Sequence, residues 1–261
     1  MIVLNEVTKA FGKRTVLDHV SLRIAPKEFV CIVGPSGAGK STLIRLLIGA
    51  DQATSGKIEV DGVDLQDIPP SVLQLYRRRV GVVFQDYKLI AHRTVAENIA
   101  FPLELTGVSD KEMGRKVGEL LVRMDLTSVA SSRPDELSGG EQARTAIARA
   151  IVHNPMVVLL DEPTGNLDPK QSLQILKLFQ EIQNDGVTIL LATHDAGLVE
   201  RLQTRVVLLE DGKVASDKKG GYPGQDKQPG SHEILKTTEI AESSSSGESV
   251  KKKVKVTMIH S

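Results

Sequence analysis

The chain has one cysteine, no net charge and no long apolar run, and each lack excludes a class of protein. A lone Cys31 rules out an intramolecular disulfide; it reads as a small apolar filler. Lys and Arg total 33 against 33 Asp and Glu, so a bulk attraction to nucleic acid is unsupported and no nucleic-acid partner is expected. No stretch reaches the ~18 apolar residues of a membrane span. Met1 to Val7 lacks the charged start and apolar run of a signal peptide, so a cytoplasmic location is expected. The 261 residues are enough for one large domain or a domain with a subdomain.

The most informative segment is Gly34-Pro35-Ser36-Gly37-Ala38-Gly39-Lys40-Ser41, followed by Thr42. Glu28 to Val33 before it reads as a buried strand, and Leu43 to Ile48 after it as an apolar helix. Glycines let a loop curl so that backbone N–H groups converge on anionic oxygens. The following helix N-terminus adds partial positive charge. In such a loop Lys40 reaches the β- and γ-phosphates of a nucleotide, and Ser41 can ligate Mg²⁺.

Asp161 and Glu162 follow four apolar residues, as at the C-terminal end of a parallel strand buried on both faces. Asp161 is placed to hold Mg²⁺ through water, and Glu162 to polarise an attacking water. Leu137-Ser138-Gly139-Gly140-Glu141-Gln142 has no obvious work in the same site, which points to a second subunit.

Met1 to Val33 alternates and reads as an antiparallel layer. A hairpin is expected at Asp61-Gly62 and another at Asp211-Gly212. A basic helix follows Pro69-Pro70, and residues 86–134 read as mostly helical, with Leu103, Leu105, Val117, Leu120, Leu121 and Met124 as apolar positions. The α/β pattern returns over 135–215. From 216 to 261 the chain turns polar and Ser-rich with a basic end at Lys251-Lys252-Lys253, and reads as a disordered tail.

As an ordered set these motifs resemble the ABC ATPase family over roughly 1–215. The resemblance implies an α/β fold: a P-loop NTPase core of ABC type with an antiparallel β layer and an inserted helical subdomain at about 86–134. It implies that Phe11 stacks on adenine. It places Gln85 as the glutamine that senses the γ-phosphate and touches the metal. Gly165-Asn166-Leu167-Asp168 resembles the D-loop, and His194 the switch histidine. It implies a homodimer in the ATP state, head to tail, in which Ser138, Gly139 and Gly140 of one subunit contact the γ-phosphate held by the other. Bound ATP and Mg²⁺ are the implied cofactors, and hydrolysis would loosen the dimer.

Residues 77–90 and 94–101 resemble the cell-division branch of the family most. Pro163-Thr164-Gly165-Asn166-Leu167-Asp168 is shared with the lipoprotein-releasing and macrolide-export branches. That group implies an integral membrane partner and a peripheral position on the inner face of the membrane. Tyr87, Leu89 and Ile90 suit a docking site for such a partner; the alternative is that they pack inside the helical subdomain. Two departures stand out: Ala143 replaces the usual second Gln, and the tail is long. A DNA-organising ATPase would separate Lys40 from Ser138 by a long coiled coil, and no sustained heptad run lies there. A scaffold that only binds ATP would be expected to lack Glu162. Arg77-Arg78-Arg79 reads as a solvated helix end, and His19, His92, His153, His232 and His260 share no metal-ligand spacing.

Overall fold

A computed structural model describes residues 1–222; the tail reading for the following residues lies outside them. The chain starts with β1 (Ile2–Phe11) and β2 (Arg14–Ile24), then β3 (Phe29–Val33), the phosphate loop and α1 (Lys40–Leu47). The hairpin β4 (Ser55–Val60) and β5 (Val63–Asp64) precedes α2 (Pro70–Arg77) and β6 (Val80–Val83). Two helices follow, α3 (Val95–Glu104) and α4 (Asp110–Arg123), before α5 (Gly139–Ile151). The chain then alternates through β7 (Val157–Asp161), α6 (Pro169–Asn184), β8 (Thr188–Thr193) and α7 (Ala196–Leu202), ending in β9 (Arg205–Glu210) and β10 (Lys213–Lys219).

Two sheets form. One is antiparallel with order β2-β1-β4-β5; the other has order β10-β9-β3-β8-β7-β6 and is parallel except for β10. The first 33 residues are therefore not one antiparallel layer. β3 pairs in parallel with β8 and β9 because its two faces are both buried. Phe29, Cys31 and Val33 face the core under α3, α5, α6 and α7, while Val30 and Ile32 face α1 and the antiparallel sheet. β7 and β8 alternate the same way, so one sheet serves two cores. Cys31 is buried, and desolvation pushes its thiol up to about 11.

Both expected hairpins turn at Asp61-Gly62 and Asp211-Gly212. Two expectations need correction. Leu105 is 50% exposed, because it sits at the C-cap of α3 and points away from the core. The domain does not stop at 215: Asp217 pairs with Val207 in the sheet and accepts a bidentate bond from Arg205 at 2.7 and 2.6 Å. A polar edge strand looks like a tail by composition alone. Arg77 is also more than a solvated helix end, since it donates to Ile48 O and Gly49 O at the C-terminus of α1.

Candidate nucleotide site and its relatives

The phosphate loop lies at the C-terminal edge of the parallel sheet, between β3 and α1. Two of its glycines are sterically required. Gly34 has φ 150°, and a Cβ there would lie 2.2 Å from Leu209 O. Gly39 has φ 104°, and a Cβ there would lie 2.6 Å from Leu17 Cδ2. Lys40 opens α1 and is only 7% exposed; its Nζ donates to Gly34 O at 2.8 Å and Pro35 O at 3.2 Å. A buried ammonium bonded to loop carbonyls holds the loop curled.

A cleft of about 380 Å³ opens above the loop. Ser36, Gly37, Gly39, Lys40, Ser41, Thr42, Gln85, Glu162 and His194 line it together with Arg14 and Val16. The first nine come from four separated segments that sequence motifs had singled out. Arg14 and Val16 were not foreseen. They belong to β2, whose hairpin with β1 folds over the loop, a relationship that no local spacing signals. A larger groove of about 630 Å³ between α4 and the ends of α5 and α6 holds none of the motif residues.

Opposite the loop, β7 delivers its carboxylates. Asp161 accepts a bond from Ser41 Oγ at 3.0 Å. Burial pushes the Asp161 carboxyl above its ordinary value, with the Ser41 bond opposing. Glu162 has φ 48°, a left-handed conformation that costs energy for a residue with a Cβ. Its N–H still donates to Ala192 O at 2.9 Å, so the turn is anchored to β8. Its Oε2 accepts from Thr193 Oγ1 at 3.2 Å, its Oε1 lies 2.7 Å from His194 Nδ1, and Lys40 Nζ is 3.8 Å away.

Other motif residues lie outside this cleft. Ser138 and Gly139 are exposed at the start of α5. Ser138 forms a capping box with Glu141: the carboxylate accepts from Ser138 N at 2.8 Å and Ser138 Oγ at 2.6 Å. Gly139 and Gly140 follow as the first turn, and none of the three lines the chain's own nucleotide cleft. Asp168 caps α6 by accepting from Gln171 N at 2.8 Å. Asn166 Nδ2 donates to Gln85 O at 3.2 Å, which links the loop before α6 to the glutamine loop. Phe11 is 49% exposed at the hairpin tip, opposite Arg14, with Lys9 Nζ 4.7 Å from its ring centroid.

The docking expectation for Tyr87 is corrected. Tyr87 is 4% exposed and its hydroxyl donates to Pro163 O at 3.3 Å. Consecutive left-handed residues, Tyr87 at φ 57° and Lys88 at φ 47°, turn the ring inward. Leu89 packs against the same core, and Ile90 is half-buried. The alternative, packing inside, describes Tyr87.

A strand, a glycine-rich loop, paired carboxylates, a histidine and a glutamine converging on one cleft define an ATP-hydrolysing cassette. The profile of the ABC transporter family matches residues 17–165, and the chain belongs to that family as an ATP-binding, ATP-hydrolysing subunit. It is similar to the cell division ATP-binding protein FtsE of Bacillus subtilis, 44% identical over 225 residues, covering 86% of this chain and 99% of that protein. FtsE of Streptococcus pneumoniae is 47% identical over 227 residues, covering 87% of this chain and 99% of that protein. FtsE of Mycobacterium tuberculosis is 43% identical over 229 residues, covering 87% and 100%. Among solved structures, a dimeric bacterial ABC transporter cassette matches with TM-score 0.78 and 37% identity, covering 84% of this chain and 98% of that one. A dimeric post-hydrolysis cassette bound to ADP and Pi matches with TM-score 0.77 and 36% identity, covering 84% and 98%.

Proposed function

We propose that this chain is the ATPase of a cell-division machine of the FtsE kind. It acts from the inner face of the cell membrane on an integral membrane partner resembling FtsX, and through it on cell-wall hydrolases. The observation that carries the reading is similarity to FtsE across almost the whole length of those proteins, together with Lys40, Ser41, Gln85, Glu162 and His194 lining one cleft.

In this reading the chain's own groups divide the work. The backbone of Gly34 to Gly39 cradles the phosphates, Lys40 neutralises the β- and γ-phosphate charge, and Phe11 offers its free face to adenine. Glu162 orients the attacking water and accepts its proton; His194, held against it, fixes its rotamer. Gln85 reports the γ-phosphate to the loop that follows. Asp168 keeps α6 capped, which positions Asn166 and Gly165 beside Gln85. The adjoining Ser41 hydroxyl and Asp161 carboxylate are hard oxygens that fit Mg²⁺, which characteristically takes one or two protein oxygens plus phosphates and water; Gln85 lies in reach of the same cleft. When bound, the metal would neutralise charge on the β- and γ-phosphates.

Ser138, Gly139 and Gly140 complete the site of a second subunit. The exposure of Ser138 and Gly139 at a helix N-terminus that does not line the chain's own cleft supports this, as do the dimeric cassettes among its structural relatives. The membrane partner then docks beside the glutamine loop, where Leu89 and Ile90 reach the surface and Tyr87 does not. Removing FtsX from cells should release the chain from membranes into the soluble fraction. Full membrane retention without FtsX would overturn the partner assignment.

A further inference from the structure

We infer that Arg149 couples the two ATP sites of a dimer, by holding the loop after Gln85 to the helix that presents Ser138. The inference rests on the composite-site reading of Ser138, Gly139 and Gly140. It concerns how occupancy of a subunit's own cleft is felt in its partner's.

Arg149 lies on α5, about three turns beyond Ser138. Its Nη2 donates to Tyr87 O at 2.6 Å and its Nη1 to Lys88 O at 2.8 Å. These are the two consecutive left-handed residues of the loop, so one guanidinium fixes the strained turn from both carbonyls. Nη1 also lies 3.5 Å from Asn98 Oδ1. Asn98 is fully buried and grips the next stretch: it accepts from Ile90 N at 2.8 Å and donates to Ile90 O, Arg93 O and Thr94 O.

The guanidinium is half-buried, and among the described residues no carboxylate pairs with it; desolvation lowers its proton affinity. A partly desolvated cation that meets only carbonyls is a poor device for stability. What it supplies is a rigid fork that reaches two carbonyls at once. A lysine presents a point charge and cannot reproduce that geometry. Gln85 stands in the cleft two residues before Tyr87, so a shift of Gln85 toward a γ-phosphate moves the carbonyls that Arg149 grips. Arg149 passes that shift along α5 to Ser138 and Gly139, which face the partner. A first ATP thereby improves the site for the second, and Arg149 acts as a positioning residue.

The test compares Arg149→Lys with wild type, with a thermal melt and nucleotide binding to the monomer as controls. ATP binding by the monomer should stay within about twofold. The ATP concentration for half-maximal dimerisation in a Glu162→Gln background should rise about tenfold, within the usual range of site-to-site coupling. The Hill coefficient of hydrolysis should fall from near 2 toward 1, since two sites set its ceiling. Independently of any Arg149 variant, ATP added to wild-type protein diluted to monomer should slow amide exchange at residues 138–142 as well as 85–90. Unchanged cooperativity and dimerisation in a folded Arg149→Lys protein would overturn the inference. So would an exchange response confined to 85–90. If Glu162→Gln alone does not dimerise with ATP, the composite site itself has failed, and the inference falls with it.

Discussion

His194 Nδ1 lies 2.7 Å from Glu162 Oε1, on the side of the carboxylate that also faces Lys40 Nζ at 3.8 Å. Glu162, the proposed general base, is thus held between an imidazole and the Lys40 ammonium. Thr193 Oγ1 and His194 N hold the other oxygen, at 3.2 and 3.4 Å. Three hydrogen-bond contacts and one ion pair converge on this side chain and set its rotamer. Pre-set geometry of this kind is what phosphoryl transfer uses, because there is little covalent chemistry for the protein to do.

His194→Ala should therefore act on turnover. We expect kcat to fall about a hundredfold, in the range of lost acid–base positioning, with KM for ATP changed little. Steady-state hydrolysis against ATP concentration checks this. A large rise in KM at constant kcat would assign His194 to ground-state binding instead.

Tyr87→Ala should unfold the protein more easily. It removes a ring that is 4% exposed and its bond to Pro163 O, and a buried aromatic truncation costs about 3 kcal/mol. Leu89→Ala with Ile90→Ala should lower the melt less than Tyr87→Ala does and should weaken membrane retention. Thermal melts paired with membrane fractionation separate the two. A Tyr87→Ala protein with an unchanged melt would contradict the burial argument.

Acid should loosen the two capped helix starts. Backbone and hydroxyl bonds from Thr94 hold Glu97 below its ordinary value, and hydroxyl and backbone bonds from Ser138 do the same for Glu141. A carboxylate depressed by folding stabilises fully above its unfolded value, and that contribution is lost as pH falls through the folded one. Wild type should melt higher than Glu97→Gln with Glu141→Gln at pH 7, and the gap should close as pH falls below the ordinary glutamate range. Melting curves across that range provide the check; a constant offset would show that the carboxylate charge is not involved.

Most of the site could be read from the chain because its chemistry sits in short segments whose spacing is fixed by local geometry. Gly34 to Ser41 needs a strand before it and a helix after it, and both signals lie within a few residues. Asp161 and Glu162 announce themselves by the apolar run that precedes them. What sequence missed depends on long-range approach or on backbone strain without a marker residue. Arg14 reaches the cleft only because a hairpin folds over the phosphate loop. Tyr87 turns inward through two left-handed residues, neither of them the glycine that would have flagged the turn. Residues 216–219, the end of β10, read as tail because an edge strand can be polar. Arg149 resembles any basic residue on a helix until its burial and its carbonyl partners are seen.

In the proposed mechanism Glu162 drives ATP hydrolysis in a site completed by another subunit's Ser138. Light scattering of Glu162→Gln with and without Mg-ATP tests it most directly, alongside Glu162→Gln carrying Ser138→Arg. The account predicts a doubling of mass with ATP for the first protein and none for the second, while both still bind nucleotide. A Glu162→Gln protein that stays monomeric with ATP, or a dimer that survives Ser138→Arg, would contradict it.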